Sequence, residues 1–346
     1  MSEDAEKLEN NDRNNMENIQ DSKEVVKKDS IPHFLPTYRI SFNLFPIPIL
    51  IVIVIAGLLA YATYFGAGIQ LEGGYVSEED LGVLGGIING IIFTFTSVAA
   101  AFLIVFLIRK KGIDVLKYIF GFSFGLLGFT LSWFFASVII FLIFIQFPET
   151  PALVNTYYIV SDIISPILVA VFTALLLYKY FTSKSINTKN LIVLYISLLI
   201  SASMGLMMPL WTTLAILIGI SFWDIYAVLN KKGPIKEMID IASKNDKYDL
   251  YDEEIEESIK KGEFIYDTSK VEIGIGDLAF YSMLTTSALI QTGNVFIMIF
   301  TTIAILIGTG ITLNQLKRNK ILPGLPISIF LGIGTMLLSW YIISLF

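Results

Sequence analysis

The chain has little charge, one histidine and no cysteine. The missing cysteine excludes disulfides, thiolate metal sites, iron–sulfur clusters and cysteine nucleophiles. The one histidine, His33, lies in the polar N-terminal region, which argues against a zinc site or a histidine general base in an apolar domain. Buried acid–base chemistry then falls to carboxylates, lysines or tyrosines. Charged residues make up 16% of the 346 residues and hydrophobic ones 55%. Soluble domains carry about 25% charged residues, so this chain is too poor in polar side chains to cover a soluble surface of its size. One or two large soluble domains are excluded, and a multi-span membrane protein is expected. The net charge of −6 does not suggest a nucleic-acid binder.

What is present is a polar tail followed by repeated apolar runs. Residues 1–38 are rich in Asn, Glu, Asp and Lys and nearly free of aromatics, so they cannot bury enough apolar area to offset chain entropy and read as disordered. The tail is too long and too acidic for the start of a signal peptide, so the first apolar run is expected to remain as a span. The runs beyond it are mostly long enough to cross a hydrocarbon core of about 30 Å. Nine spans are read at roughly 45–66, 84–108, 118–146, 153–178, 190–208, 210–230, 277–291, 295–314 and 325–345. The domain plan is a tail (1–38), six spans (39–230), a long connection (231–276) and three spans (277–346). The seventh span is the weakest, because it is short and carries Ser282, Thr285, Thr286 and Ser287. Short turns at Pro209 and at Thr292-Gly293-Asn294 predict antiparallel neighbours.

The basic residues support this count. The region before the first span carries Lys7, Arg13, Lys23, Lys27, Lys28 and Arg39. Arg109, Lys110, Lys111 and Lys117 follow the second span, and Lys179, Lys184 and Lys189 follow the fourth. Eight lie from Lys231 to Lys270, and Lys317, Arg318 and Lys320 follow the eighth span. All 24 basic residues thus fall on alternate connections, as expected when they mark the cytoplasmic side. The expected fold is an all-α polytopic membrane protein with its N-terminus cytoplasmic and its C-terminus outside. In the long connection, apolar residues at 235, 238, 239 and 242 have helical spacing, with Pro234 suited to a first turn. Its middle, Asp246 to Glu257, is strongly acidic, and Glu263 to Ile273 contains strand-prone patches.

An ionisable residue inside a span is costly and marks a functional candidate. Three qualify: Asp162, Asp224 and Asp277. Asp224 lies a few residues from the cytoplasmic end of span six, about 9 Å inside the boundary at 1.5 Å per residue. Asp277 begins span seven, which runs the opposite way, so both carboxylates lie toward one side. Nearby carboxylates tend to share one proton. One can then deprotonate a water while the other donates a hydrogen bond to a scissile carbonyl. The plainer readings are a helix cap for Asp277 and a lysine partner for Asp224. Gly274 and Gly276 permit a close backbone approach or unusual φ/ψ before span seven, or simply helix packing. Leu322-Pro323-Gly324-Leu325-Pro326 opens span nine on the same side, where its prolines deny backbone donors and hold the chain extended.

These three segments together resemble the presenilin-type intramembrane aspartyl proteases. Asp224 follows an aromatic residue, Gly274-Ile-Gly-Asp277 resembles the family's GxGD signature, and Pro323-Gly-Leu-Pro326 resembles its proline motif. The likeness continues through Asp224-Ile-Tyr-Ala-Val-Leu-Asn-Lys-Lys-Gly-Pro-Ile235, through Asp277-Leu-Ala-Phe-Tyr281-Ser282 and through Leu325-Pro-Ile-Ser-Ile329. It departs at Trp223, where the family usually has tyrosine, and at Gly324, where it usually has alanine. The resemblance implies a nine-span protease in the cell membrane. Asp224 and Asp277 would be its catalytic pair, and transmembrane-helix proteins its substrates in the lipid bilayer. It implies that Leu322 and Gly324, with the strand-prone segment before Asp277, bind an extended substrate by backbone pairing, which is strand addition. Tyr281 belongs to the same motif region. The acidic connection would be a processing site or a plug. No metal, cofactor or nucleic acid is expected.

Other readings compete. A proton-coupled transporter would use the two aspartates as a relay. No internal repeat relates the halves of the chain, and the carboxylates lie toward one side instead of midplane. A prepilin-type peptidase shares GxGD but has fewer spans and a lysine soon after the aspartate, absent here. Gly121-Phe-Ser-Phe-Gly125 fits a serine elbow in spacing only, since it opens a helix and no histidine serves it. Gly121/Gly125 and Gly86/Gly90 read as helix-packing pairs. Asp162, beside Ser161 and Ser165, lies toward the outer side and reads as a satisfied or water-facing polar residue.

Overall fold

The structure is a computed structural model and describes residues 36–112, 114–183, 185–230, 270–316 and 323–345. The polar tail to residue 35, nearly all of the 231–276 connection and Leu322 lie outside the described residues.

Apolar runs become helices because a backbone in hydrocarbon must satisfy its own hydrogen bonds. They are α1 (Pro46–Tyr61), α2 (Val83–Lys111), α3 (Val115–Phe144), α4 (Pro151–Thr182), α5 (Ile186–Met207) and α6 (Leu210–Leu229). After the long connection come α7 (Ile275–Thr292), α8 (Val295–Leu316) and α9 (Leu325–Ser344). Proline stands in the first turn of α1, α4 and α9, where its missing N–H costs nothing. A wide turn at Ile159–Ile164 interrupts α4 just before Pro166. The expected sharp turn after α7 is present: Gly293 takes φ +62°, a left-handed conformation that suits glycine, and closes the helix.

Eight of these helices are long and apolar enough to cross a membrane. The helix outside that set is α7, and its packing explains why. Every residue from Tyr281 to Ile290 is buried, and α7 is packed by α1, α5, α6, α8 and α9. A helix that meets protein on all sides does not need lipid-compatible side chains. Its hydroxyls bond within the protein: Ser282 donates to Val52 O of α1 at 3.4 Å, and Thr285 donates to Ser282 O of its own helix at 3.0 Å. At the periphery the pattern inverts. Only 11% of the most apolar stretch of α2 is buried, against 72% for α5. Phe95, Phe102 and Phe106 on α2 point outward, as a lipid-facing surface requires.

Close helix contacts are made through glycine. A Cβ on Gly86 or Gly90 would collide with Trp211 or Ala215 of α6, which draws α2 onto α6. Gly121 and Gly125 face Phe181 and Leu177 of α4, so the apparent serine elbow is a packing face.

A departure in element type lies before α1. The sequence reading ended a disordered tail at residue 38 and began the spans at 39. The structure instead has a strand, β1 (Thr37–Ser41), paired antiparallel with β2 (Lys270–Gly274). The register aligns Thr37 with Gly274 and Arg39 with Glu272. Tyr38, Ile40, Val271 and Ile273 pack on the helical core. On the opposite face Glu272 pairs with Arg39 at 2.8 Å and accepts from Thr37 Oγ1 at 3.0 Å. Alternation over five residues is too short to stand out in a polar tail, which is why the strand was missed.

Candidate active site

The two aspartates reach the same place by different routes. Asp224 lies five residues before the end of α6, held there by helical geometry. Asp277 is the third residue of α7, set by the point at which β2 turns into helix. Its carboxylate turns back toward the Gly274 amide, in the manner of a capping residue. The N-cap position itself belongs to Gly274, and Asp277 reaches back to it from the third helical residue.

The start of α9 joins the two. The first amides of a helix lack internal partners. Leu325 N–H donates to Asp224 Oδ2 at 3.2 Å, and the Gly324 amide faces the same carboxylate. A Cβ built on Gly324 would lie 3.4 Å from Asp277 Oδ2 and 4.0 Å from Oδ1. Gly324 therefore touches Asp277 with its Cα face and Asp224 with its amide. The two carboxylates are close enough to interact directly. No lysine partner is found for Asp224 among the described residues.

Tyr281 anchors this turn. One helical turn beyond Asp277, it is 2% exposed and donates from its hydroxyl to Gly324 O at 3.2 Å. Thr309 Oγ1 and Ser328 Oγ lie beside that hydroxyl and are 3.1 Å from each other. Gly308 lets α8 approach α9 here, since a Cβ on it would be 2.6 Å from Ser328 Cα. Thr309 and Gly308 carry no motif signal, and Ser328 lies in the quoted 325–329 stretch without a role assigned to it. Only a contact map shows that they hold the start of α9.

The proline motif differs from expectation. Gly324 has helical φ/ψ of −74° and −39°, and Pro326 sits in the first turn of α9. The chain is therefore helical from Gly324 onward and not extended. Both Gly324 backbone groups are engaged, its N–H with Asp224 and its C=O with Tyr281. Gly274 and Gly276 also differ from expectation. Gly274 has an ordinary extended φ of −65°, and neither glycine is among those with positive φ. A Cβ on Gly274 would lie 3.7 Å from Asp277 Oδ2, and one on Gly276 would lie 3.7 Å from Phe280. Among the described residues nothing crowds them, so they leave space beside Asp277.

Flanking Asp224, Phe222 contacts Phe330 of α9 edge-on at 5.8 Å, and Trp223 contacts Phe102 of α2 at 5.9 Å. Trp223 thus uses its larger ring to bridge α6 and α2. Asp162 is exposed in the wide turn of α4, which packs on α3 and α5, so it does not join the pair. Among the described residues no cluster of side chains is suited to hold a metal ion.

Comparison with known proteins gives a consistent picture. A family model described as Presenilin matches residues 50–255 and 244–346. Presenilin-B of Dictyostelium discoideum is 33% identical over 161 residues, which is 44% of this chain and 30% of that protein. A presenilin-like protein of Arabidopsis thaliana is 22% identical over 333 residues, covering 76% of this chain and 80% of that one. The fold matches a presenilin family intramembrane aspartate protease solved in two crystal forms. In the C222 form the TM-score is 0.54 at 15% identity, covering 86% of this chain and 97% of the other. In the P2 form it is 0.51 at 16% identity, covering 87% and 98%.

Proposed function

Because the chain belongs to the presenilin family, we propose that it is an intramembrane aspartyl endopeptidase that hydrolyses peptide bonds within transmembrane helices. The observation that carries this reading is the convergence of Asp224 and Asp277 on Gly324-Leu325. In the mechanism, one carboxylate takes a proton from a water as the water oxygen attacks the scissile carbonyl carbon. The other carboxyl, protonated, donates to the carbonyl oxygen. The tetrahedral intermediate collapses when a proton passes to the departing amine nitrogen. The pair is left sharing one proton, as it began. The amides of Gly324 and Leu325 hold Asp224 in orientation through each step.

A substrate helix must unwind before its peptide bonds can be attacked, and its freed backbone needs partners. β2 can provide them. Ile275 N–H bonds to Pro36 O at 3.3 Å, which sets the phase of the ladder. By the alternation of antiparallel pairs, Val271 and Ile273 direct their backbone groups at β1, while Glu272 and Gly274 direct theirs away. Asp277 lies at the Gly274 amide, on that outward side. A substrate strand added at Glu272 is thereby delivered to the catalytic pair. The uncrowded faces of Gly274 and Gly276 keep the path clear.

Nine spans, counting α7, with a cytoplasmic N-terminus and an outer C-terminus account for the distribution of basic residues. This places the catalytic pair in the cytoplasmic half of the bilayer and favours substrates whose N-termini lie outside. The test is cleavage of a transmembrane-helix peptide by protein reconstituted in liposomes. Asp224→Ala and Asp277→Ala should each abolish cleavage; retained cleavage in either rejects the mechanism. Proton-dependent solute flux without peptidase activity would favour a transporter.

A further inference from the structure

We infer that Asn190, on the first turns of α5, is a positioning residue for substrate strand addition, acting through β1. This inference rests on the protease reading and on β2 as the receiving edge.

A two-stranded ribbon is marginal in isolation and exposes two edges, either of which can accept a further strand. Only one edge of the β1–β2 ribbon leads to Asp277. The other is closed by a side chain. Asn190 Oδ1 accepts from Arg39 N–H at 2.9 Å, and its Nδ2 donates to Arg39 C=O at 2.7 Å. One carboxamide thus makes both bonds that a neighbouring strand would make to that residue. This is possible because Arg39 pairs with Glu272 at a position where the backbone groups of both residues point away from the partner strand. The same residue connects inward, since the Arg39 guanidinium meets Glu272 Oε1 at 2.8 Å.

The chain of contacts therefore runs from α5 through Asn190, Arg39 and Glu272 to the free edge of β2. Most of α5 is buried, so the anchor is a rigid one. Asn190 itself is buried, and each of its polar groups is used on β1. Two effects follow. The outer edge of β1 is withdrawn from strand addition, which leaves the edge beside Asp277 as the one on offer. β2 is also fixed in place before substrate arrives, so less order has to be created on binding. Autoinhibition by β1 is disfavoured, because β1 occupies the edge of β2 that faces away from Asp277.

The experiment compares wild type, Asn190→Leu and Asn190→Asp, each as full chain in proteoliposomes. It uses the transmembrane-helix peptide substrate and a hydroxyl-containing aspartyl-protease inhibitor too short to reach β2. Asn190→Leu should raise KM about fivefold or more with kcat changed less than about twofold. Inhibitor affinity should be unchanged. Hydrogen exchange should rise in residues 37–41 and 270–274 and nowhere else. Asn190→Asp keeps the acceptor and loses the donor, and should fall between wild type and Asn190→Leu. A loss confined to kcat, an unchanged KM, or a gain of activity overturns the inference; a gain would show that β1 inhibits. If Asn190→Leu fails to fold, Asn190→Asp decides by the same split. If wild type leaves the peptide uncut, the protease reading fails by itself. The clamp is then judged by exchange, and unaltered protection of β1 and β2 in the variants overturns it.

Discussion

Tyr281 and Gly324 lie 43 residues apart in sequence and are joined by a 3.2 Å hydrogen bond from the tyrosine hydroxyl to the glycine carbonyl. Tyr281 shares a helix face with Asp277, and Gly324 begins the turn that orients Asp224. This one bond therefore holds the two halves of the proposed catalytic pair in register. Tyr281→Phe should leave the fold intact, because the ring stays packed and a single hydrogen bond contributes about 1 kcal/mol net. Cleavage should fall about tenfold in kcat with KM little changed, since the loss is of alignment and not of binding. Steady-state kinetics in proteoliposomes read both. An unchanged kcat would show that Gly324 is held in place without Tyr281.

Gly324→Ala tests the family difference at this position. The added Cβ would meet Asp277 Oδ2 at 3.4 Å, an ordinary van der Waals contact, and the backbone is already helical. The variant should fold and keep activity within about threefold of wild type, a difference below about 1 kcal/mol. A larger loss would mean that the space above Asp277 has to stay empty.

Gly274→Pro separates the strand edge from the fold. Its φ of −65° is proline's own value, so the backbone needs no rearrangement. Proline removes the amide that faces Asp277 and places a ring on the proposed receiving edge. Thermal stability should stay near wild type, while cleavage should drop by about tenfold or more. Full activity in a folded variant would rule out strand addition at this edge.

Gly308→Ala tests whether the α8–α9 approach controls the site. A Cβ there would be 2.6 Å from Ser328 Cα and 3.0 Å from Ser328 N, so backbone would have to shift. Overpacking of this kind costs about 1–3 kcal/mol. Both thermal stability and kcat should fall. The Gly334→Ala control adds a methyl group in open space on α9 and should change neither.

The sequence disclosed what scarcity makes conspicuous. Aspartate is rare in spans, so Asp224 and Asp277 stood out, and their opposite helix directions placed them on one side. Basic residues are excluded from the membrane, so their distribution marked the helix boundaries. The remaining parts of the site were hidden because their residue types are common. Asn190, Thr309, Ser328 and Gly308 are ordinary in membrane helices, and only tertiary contacts distinguish them. Unusual φ/ψ was one expectation for Gly274 and Gly276, and neither has a positive φ. β1 was masked by the polar tail around it. The weak hydropathy of α7 was a true signal: it marks the helix that lipid does not touch.

That feature of α7 bears on how the protein is made. A helix with so many hydroxyl groups and a carboxylate gains little by entering lipid alone. α1 and α5, which are synthesised earlier, offer it a protein surface. Asp224 then waits for an amide 101 residues further along the chain. A nascent polypeptide that has not reached Leu325 has an incomplete site. The pocket around the two aspartates is therefore completed only by the last helix to be made.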